Sequence, residues 1–297
     1  PRPPLPVSRL NRFQYNNTVR DLFQLDRDVF ALPEKLMTRH DDYLQQALGA
    51  SAARPMPETV RVASHTLRPV PGLEGVKPFP KDLRADHGFD NQASQLTLSP
   101  LLLDAFLRLS VSIVGSPDFN PQTVGIWEEF FTEPTDVADR RRAVRRRLAR
   151  FLRIAFRGPV DDDTVERYTS YAVAKMDQGL SFPEGMKKVA AAALSSPMFL
   201  YRVPPSEPAE EQIALASRLS YFLWGSCPDD ELLKLAEDGK LSDPEVHNQT
   251  ISRMLADPRI ERFLDSFPAQ WLQLENALAA TPDPQINRYF SIDPNRP

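Results

Sequence analysis

The stretch Ile213 to Trp224, IALASRLSYFLW, runs directly into Gly225-Ser226-Cys227-Pro228-Asp229-Asp230-Glu231, and its reading decides the fold class. Leu215, Leu219 and Leu223 recur every four residues with Phe222 beside them, the spacing of one helix face. Gly225 is placed to end that helix in the left-handed region, where a side chain would be strained. Asp229, Asp230 and Glu231 fall in the first turn of the next helix, where carboxylates suit the positive end of the dipole. Leu232, Leu235 and Ala236 give that helix its apolar face, and Gly239 stops it. Ser242-Asp243-Pro244-Glu245 starts a third helix that runs to Leu255. Asp257-Pro258 starts a fourth, with Ile260, Phe263, Leu264, Phe267, Trp271 and Leu274 on one side and a kink expected at Pro268. At this spacing the aromatic stripes read as core rather than as a sugar-stacking platform.

The same pattern extends towards the N-terminus. Pro1, Pro3, Pro4 and Pro6 form an extended lead-in, and Asn11 with Gln14 three residues on makes a capping box. Leu10 and Tyr15 are spaced as a hydrophobic staple. Tyr15, Val19, Leu22 and Phe23 form the buried face, leaving Arg12, Asn16 and Arg20 to solvent. Residues 25–98 are the least regular part: a short helix is expected over Glu34 to Leu48, a short strand at Val60, Val62 and Ala63, and a polar turn over Asp82 to Asn91. Ser99-Pro100 caps a second clear helix with Leu102, Leu103, Phe106 and Leu109 on its face. Trp127, Phe130 and Phe131 form an aromatic knot. Asp136 to Phe156 is a helix with eight arginines. They read as solvated and paired to local acids, since the chain is acidic overall and no aromatic residues interleave them. Asp161-Asp162-Asp163 lacks the alternating spacing and glycine of a calcium loop and reads as a helix start. Phe182 to Leu194 is a further apolar helix, and Pro204 to Glu211 a linker.

Composition supports this picture. The 297 residues are 41% apolar and 26% charged, with a net charge of -4, which argues against a general polyanion or nucleic-acid binder. With 29 prolines and 11 glycines, the expected fold is mainly α, an irregular multi-helical bundle with long proline-rich loops. Three segments are expected, 1–113, 114–204 and 205–297, packed as one body. No run of about 18 apolar residues is present to span a membrane. The start at Pro1, without Met or signal peptide, fits a fragment or a mature form.

The sequence leaves open whether the chain is an enzyme. The single cysteine, Cys227, can form neither an internal disulfide nor a haem-attaching CxxCH, and its helix-joint setting does not suit a nucleophile. His40, His65, His87 and His247 do not pair at helical spacing, so no metal is assigned. The candidate binding residues are Asp86, His87 and Asp90, with Asp41 and Asp42 able to join them; turn capping is the competing reading.

Several longer segments carry a family resemblance. RLNRFQYNNTVRDLF (9–23), HGFDNQASQLTLSPLLLDAFL (87–107), RIAFRGPVDDDTVERY (153–168) with ALSSPMFLYR (193–202), LASRLSYFLWGSCPDDELLKLA (215–236) and RMLADPRIERFLDSFPAQWLQLE (253–275) occur in family order. Together they resemble the planctomycete-type secreted domains of unknown function that accompany c-type cytochrome domains in large exported proteins. The resemblance implies a periplasmic or secreted location and a setting in haem-linked redox chemistry on polymeric or carbohydrate substrates. It implies no cofactor in this chain, haem c in a flanking domain, and a cytochrome c domain of the same or another chain as partner. Two departures stand out: the CxxCH is absent, and a cysteine pair near the aromatic knot is replaced by Thr123-Val124-Gly125-Ile126-Trp127. The expected role is a haem-free module that docks a haem domain. A non-catalytic envelope scaffold and a polysaccharide hydrolase are the alternatives.

Overall fold

The helix that begins after Asn11 lies buried on almost every side. In the computed structural model, which describes residues 7–32, 71–82, 89–93, 96, 99–135 and 139–272, it is α1, Arg12–Phe23. The expected capping box forms: Asn11 Oδ1 accepts the Gln14 N–H at 2.8 Å, and Gln14 Oε1 accepts the Asn11 N–H at 3.3 Å. Both staple residues, Leu10 and Tyr15, are buried. The expectation that Asn16 faces water is corrected, because its side chain is fully buried, as are those of Asn17 and Thr18. The physical reason is a long-range demand. Asn16 Oδ1 accepts the Val29 N–H at 2.8 Å, and its Nδ2 donates to Asp28 Oδ1 at 2.9 Å, so the amide satisfies a backbone group that water cannot reach. Arg12 and Arg20 are half-buried, and Arg12 Nε donates to the Phe79 carbonyl at 2.7 Å.

The remaining helices are α2 Pro100–Gly115, α3 Trp127–Phe130, α4 Arg140–Ala155, α5 Asp162–Asp177, α6 Phe182–Leu194, α7 Pro197–Leu200, α8 Glu211–Leu223, α9 Asp230–Glu237, α10 Pro244–Ala256 and α11 Glu261–Trp271. The fold is mainly α, as the sequence predicts. The described strands are two-residue pieces, β1 Ser8–Arg9 and β2 Tyr201–Arg202, paired antiparallel with Ser8 opposite Arg202 and Arg9 opposite Tyr201. The readings over 34–48 and 60–63 lie outside the described residues.

Local signals place most of these boundaries. Ser99 Oγ accepts the Leu102 N–H at 3.2 Å and Pro100 takes the first turn of α2. Asp161 Oδ1 accepts the Thr164 N–H at 2.7 Å, so the aspartate run caps α5. Six of the eight α4 arginines pair with acids as expected: Arg140 meets Glu133, Arg141 Glu166, Arg142 Asp139, Arg145 Asp162 and Arg150 Glu129, while Arg153 meets Asp230 and Glu237. Arg147 instead is half-buried and donates to the Phe130 and Thr132 carbonyls. Two expectations of burial are corrected. Leu103 faces outward on α2, and Phe222 of α8 and Phe267 and Trp271 of α11 lie at the surface, 56%, 37% and 64% exposed, while Tyr221 of α8 is buried. Phe222, Phe263, Phe267 and Trp271 form a ledge of touching rings, with neighbouring centroids 5.2–6.0 Å apart. Helical spacing puts residues on one face but does not say what that face meets.

Two hydrophobic clusters result. The larger draws on residues from Leu10 to Leu200 and takes in Tyr221; the smaller gathers Ala216, Leu223, Trp224, Leu232, Ala236, Leu241 and Met254. Helix α8 therefore contributes to both. It ends at Gly225, whose φ of 61° is the expected left-handed cap. A Cβ there would lie 2.7 Å from the Phe13 ring, so α1 also needs a glycine at this point. In the smaller cluster Asp229 Oδ1 accepts the Leu232 N–H at 2.9 Å, and the carboxylate also binds Arg253 and Arg259, whose guanidinium lies 3.5 Å from the centroid of the Trp224 ring. Burial alone would raise this carboxyl's pKa, but the hydrogen bonds from Arg253, the Leu232 N–H and Arg259 outweigh it and hold it below the usual range.

Two outcomes follow from these bonds. Asn16→Ala leaves the Val29 N–H without its acceptor and should lower stability by about 1–3 kcal/mol; an unchanged urea midpoint would contradict the role given to Asn16. For Asp229, a folded pKa below the unfolded value near 3.9 means the stabilisation is present above about pH 4 and is lost as the pH falls through the folded value. Asp229→Ala should therefore be roughly 1–2 kcal/mol less stable at neutral pH. It should also show a shallower acid transition in tryptophan fluorescence than the parent chain.

Candidate functional site

Where α4 ends, Arg157 takes a left-handed backbone conformation with φ 64°, a strained choice for a residue with a side chain. Its guanidinium then turns inward. Nη1 donates to the Phe199 carbonyl at 2.8 Å, and Nη2 to the carbonyls of Met198 and Tyr201, both at 2.6 Å. These bonds fix the path of α7 into β2, which brings Arg202 opposite Ser8. Tyr221 of α8 stands between the two cations, with the guanidinium carbon of Arg157 at 5.9 Å and that of Arg202 at 5.0 Å from its ring centroid. Its hydroxyl lies 3.1 Å from Thr18 Oγ1. Burial raises the Tyr221 pKa against the pull of Arg157, so the phenol stays neutral and supplies a ring face rather than a counter-charge.

Ser8, Arg157, Met198, Tyr201 and Arg202 border a groove of about 560 Å³. Phe156, Pro159, Val203, Pro204 and Ile213 supply apolar wall, and Arg157, Arg202 and Arg218 supply charge. Within the lining there is one carboxylate, Glu210, and it is engaged by the Ser206 N–H at 2.7 Å and the Ser206 hydroxyl at 2.9 Å. Those bonds keep its carboxyl below the usual range. Arg202 makes one long hydrogen bond, from Nη2 to Ser8 Oγ at 3.4 Å, and its Nε is buried without an acceptor. Burial, and then the nearby charge of Arg157, lower its pKa. The arrangement concentrates positive charge beside apolar wall, which can hold an anionic group. The groove brings together no carboxylate pair.

The sequence-predicted candidates fall elsewhere. Asp86 and His87 lie outside the described residues. Asp90 is placed: its Oδ1 accepts from Asn11 Nδ2 at 2.8 Å and Gln270 Nε2 at 3.0 Å, and its N–H donates to Gln270 Oε1 at 3.1 Å. It fastens α11 to the start of α1. Among the described residues no three His, Cys, Asp or Glu side chains are grouped to hold a metal ion, and no helix is long and apolar enough to cross a membrane. The residues do not fit a covalently held haem, which needs a cysteine pair and a histidine in CxxCH, whereas Cys227 stands alone and buried. The groove arginines were missed because each sits in a segment read as a helix end, a linker or a core helix. The positions three and four residues from Arg218 are Ala214, Leu215, Tyr221 and Phe222, none of them acidic, but most α4 arginines share that feature, so it marks no site.

Comparison with known families places the groove in context. Residues 8–49 and 64–116 match PSD3, a protein of unknown function (DUF1587). Residues 143–203 match PSD5, a protein of unknown function (DUF1595), and residues 211–295 match PSD4, a protein of unknown function (DUF1592). The chain thus carries three PSD-type domains whose function is not known. No curated protein and no solved structure matches it. The groove is built from all three matched segments: Ser8 and Asn91 come from the first, Arg157 and Arg202 from the second, and Ile213 and Arg218 from the third.

Cys227 takes no part in this site. Burial pushes its thiol up to about 12, so it is protonated at neutral pH and screened from reagents. The folded chain should resist iodoacetamide at about pH 8 and label only in denaturant. Rapid labelling of the native protein, followed by mass spectrometry, would overturn this assignment.

Proposed function

We propose that this chain is a haem-free binding module of a longer exported protein, working beside a c-type cytochrome domain of the same or another chain. Its task is recognition, with electron transfer left to the haem domain that it docks. The observation that carries the reading is the groove at the junction of the three matched segments, since binding sites gather where domains meet. The exposed ring ledge of Phe222, Phe267 and Trp271 gives the module an apolar surface on which a partner domain can seat. A polysaccharide hydrolase is less well supported, because hydrolysis calls for two carboxylates about 5–10 Å apart and the groove lining offers Glu210 alone.

The test is made on the native gene product with whatever it copurifies. A Soret band, together with a CxxCH motif in flanking sequence or in the copurifying chain, is the expected result. A colourless preparation with no such motif would overturn the docking of a haem domain.

A further inference from the structure

We propose that the groove binds an organic oxoanion, a carboxylate, sulfate or phosphate group carried on an apolar or sugar-like body, with Arg202 as the inner fork and Arg218 as the cation at the rim. This deepens the reading of the groove as the module's binding site and rests on that part of it.

The first support is contrast within the molecule. Six arginines of α4 each have a carboxylate within ion-pair distance. Arg157, Arg202 and Arg218, which all border the groove, have none among the described residues. Arg157 has spent its donors on backbone carbonyls, so its charge remains while its hydrogen-bonding capacity is used. Arg202 is the reverse case. Its one hydrogen bond among the described residues is long, its Nε is buried without an acceptor, and the charge of Arg157 acts on it repulsively. Arg202 is half-buried, and withdrawing part of a cation from water in that state is costly unless an anion arrives. A planar guanidinium with free N–H groups matches two oxygens of an oxoanion side by side. Arg218 is exposed and lines the groove, and among the described residues it has no ion pair, so it is available at the mouth.

The second support is shape. A volume of about 560 Å³ lies in the range of small-ligand sites and exceeds what a bare ion needs. Pro159, Val203, Pro204 and Ile213 offer apolar wall to the body that bears the anion, while Ser8, Ser206 and Ser217 offer hydroxyls. An oxoanion attached to a ring or short chain satisfies both parts of the lining.

The experiment is calorimetric titration of the full chain at low ionic strength with glucuronate, inorganic sulfate and inorganic phosphate, with glucose as the neutral control. Saturable binding of at least one oxoanion and none of glucose is expected, weakened tenfold or more in Arg202→Gln and in Arg218→Ala. Preference for glucuronate would identify a sugar carboxylate, and preference for sulfate or phosphate would identify a sulfo or phosphoryl group. Arg218 is exposed and removing it breaks no ion pair among the described residues, so Arg218→Ala tests the proposal even if Arg202→Gln fails to fold. The proposal is overturned if no oxoanion binds, or if the folded variants bind as tightly as the parent. No haem domain is present in the titration, so this outcome is independent of the docking test.

Discussion

Asn16 accepts the buried N–H groups of Val29 and Phe30, donates to Asp28, and thereby holds the chain around Val29 against α1. Those bonds belong to a wider constraint. A helix buried with polar side chains on several faces draws most of them into bonds within the protein, although Tyr15 Oη and Asn17 Nδ2 are buried without a partner. Thr18 meets Tyr221 of α8, the Asn17 carbonyl accepts from Ser226, and Asp21 pairs with Arg262 of α11 through two bonds of 2.7 Å. The Leu10 N–H, just before the cap, donates to the Leu200 carbonyl at 2.8 Å. Segments two hundred residues away in sequence are thus selected by the hydrogen-bonding needs of twelve central ones. Apolar contact would tolerate small slips between them; directional bonds do not.

The groove is a consequence of that selection. Once Thr18 fixes Tyr221, and Arg157 fixes the run from Met198 to Tyr201, the ring and Arg202 are brought face to face. The prolines after Arg202 supply no backbone N–H with which to continue the two-residue ladder, and the chain leaves as extended wall. Helix α8 then closes the far side while burying Leu223 and Trp224 in the smaller cluster. The stretch that decides the fold class is therefore also the tie between two cores, and a wall of the cavity between them.

What was legible in the sequence was local. The box at Asn11, the cap at Ser99, the aspartates at the start of α5 and the glycine after α8 each act within four residues, and each is where the pattern puts it. The pairing of most α4 arginines was legible from composition rather than spacing, since an acidic chain supplies carboxylates to a charged helix face, and all but Arg142 find theirs more than four residues away. Asn16 was misplaced because its partner is a loop backbone group, and no helical period encodes such a demand. The aromatic residues of α11 were misplaced because period reports the direction of a side chain, whereas burial depends on whether another element covers it. The candidate site was hardly legible: Asp90 serves a junction, and the groove exists only when residues from three distant segments meet.

The two inner arginines show how a buried charge can be read. Arg157 is enclosed, but its hydrogen atoms are directed at three carbonyls whose positions depend on it, so removing it would cost order. It is a brace whose charge is incidental to that task. Arg202 braces little: a single long bond to a serine would not justify the desolvation of a guanidinium, and the Tyr221 ring returns only part of it. A neutral side chain of similar length would serve the two-residue ladder as well, because the ladder is made by backbone groups. Arg202 is half-buried rather than enclosed, and its charge faces the space that the brace and the rim cation border, where an anion can enter.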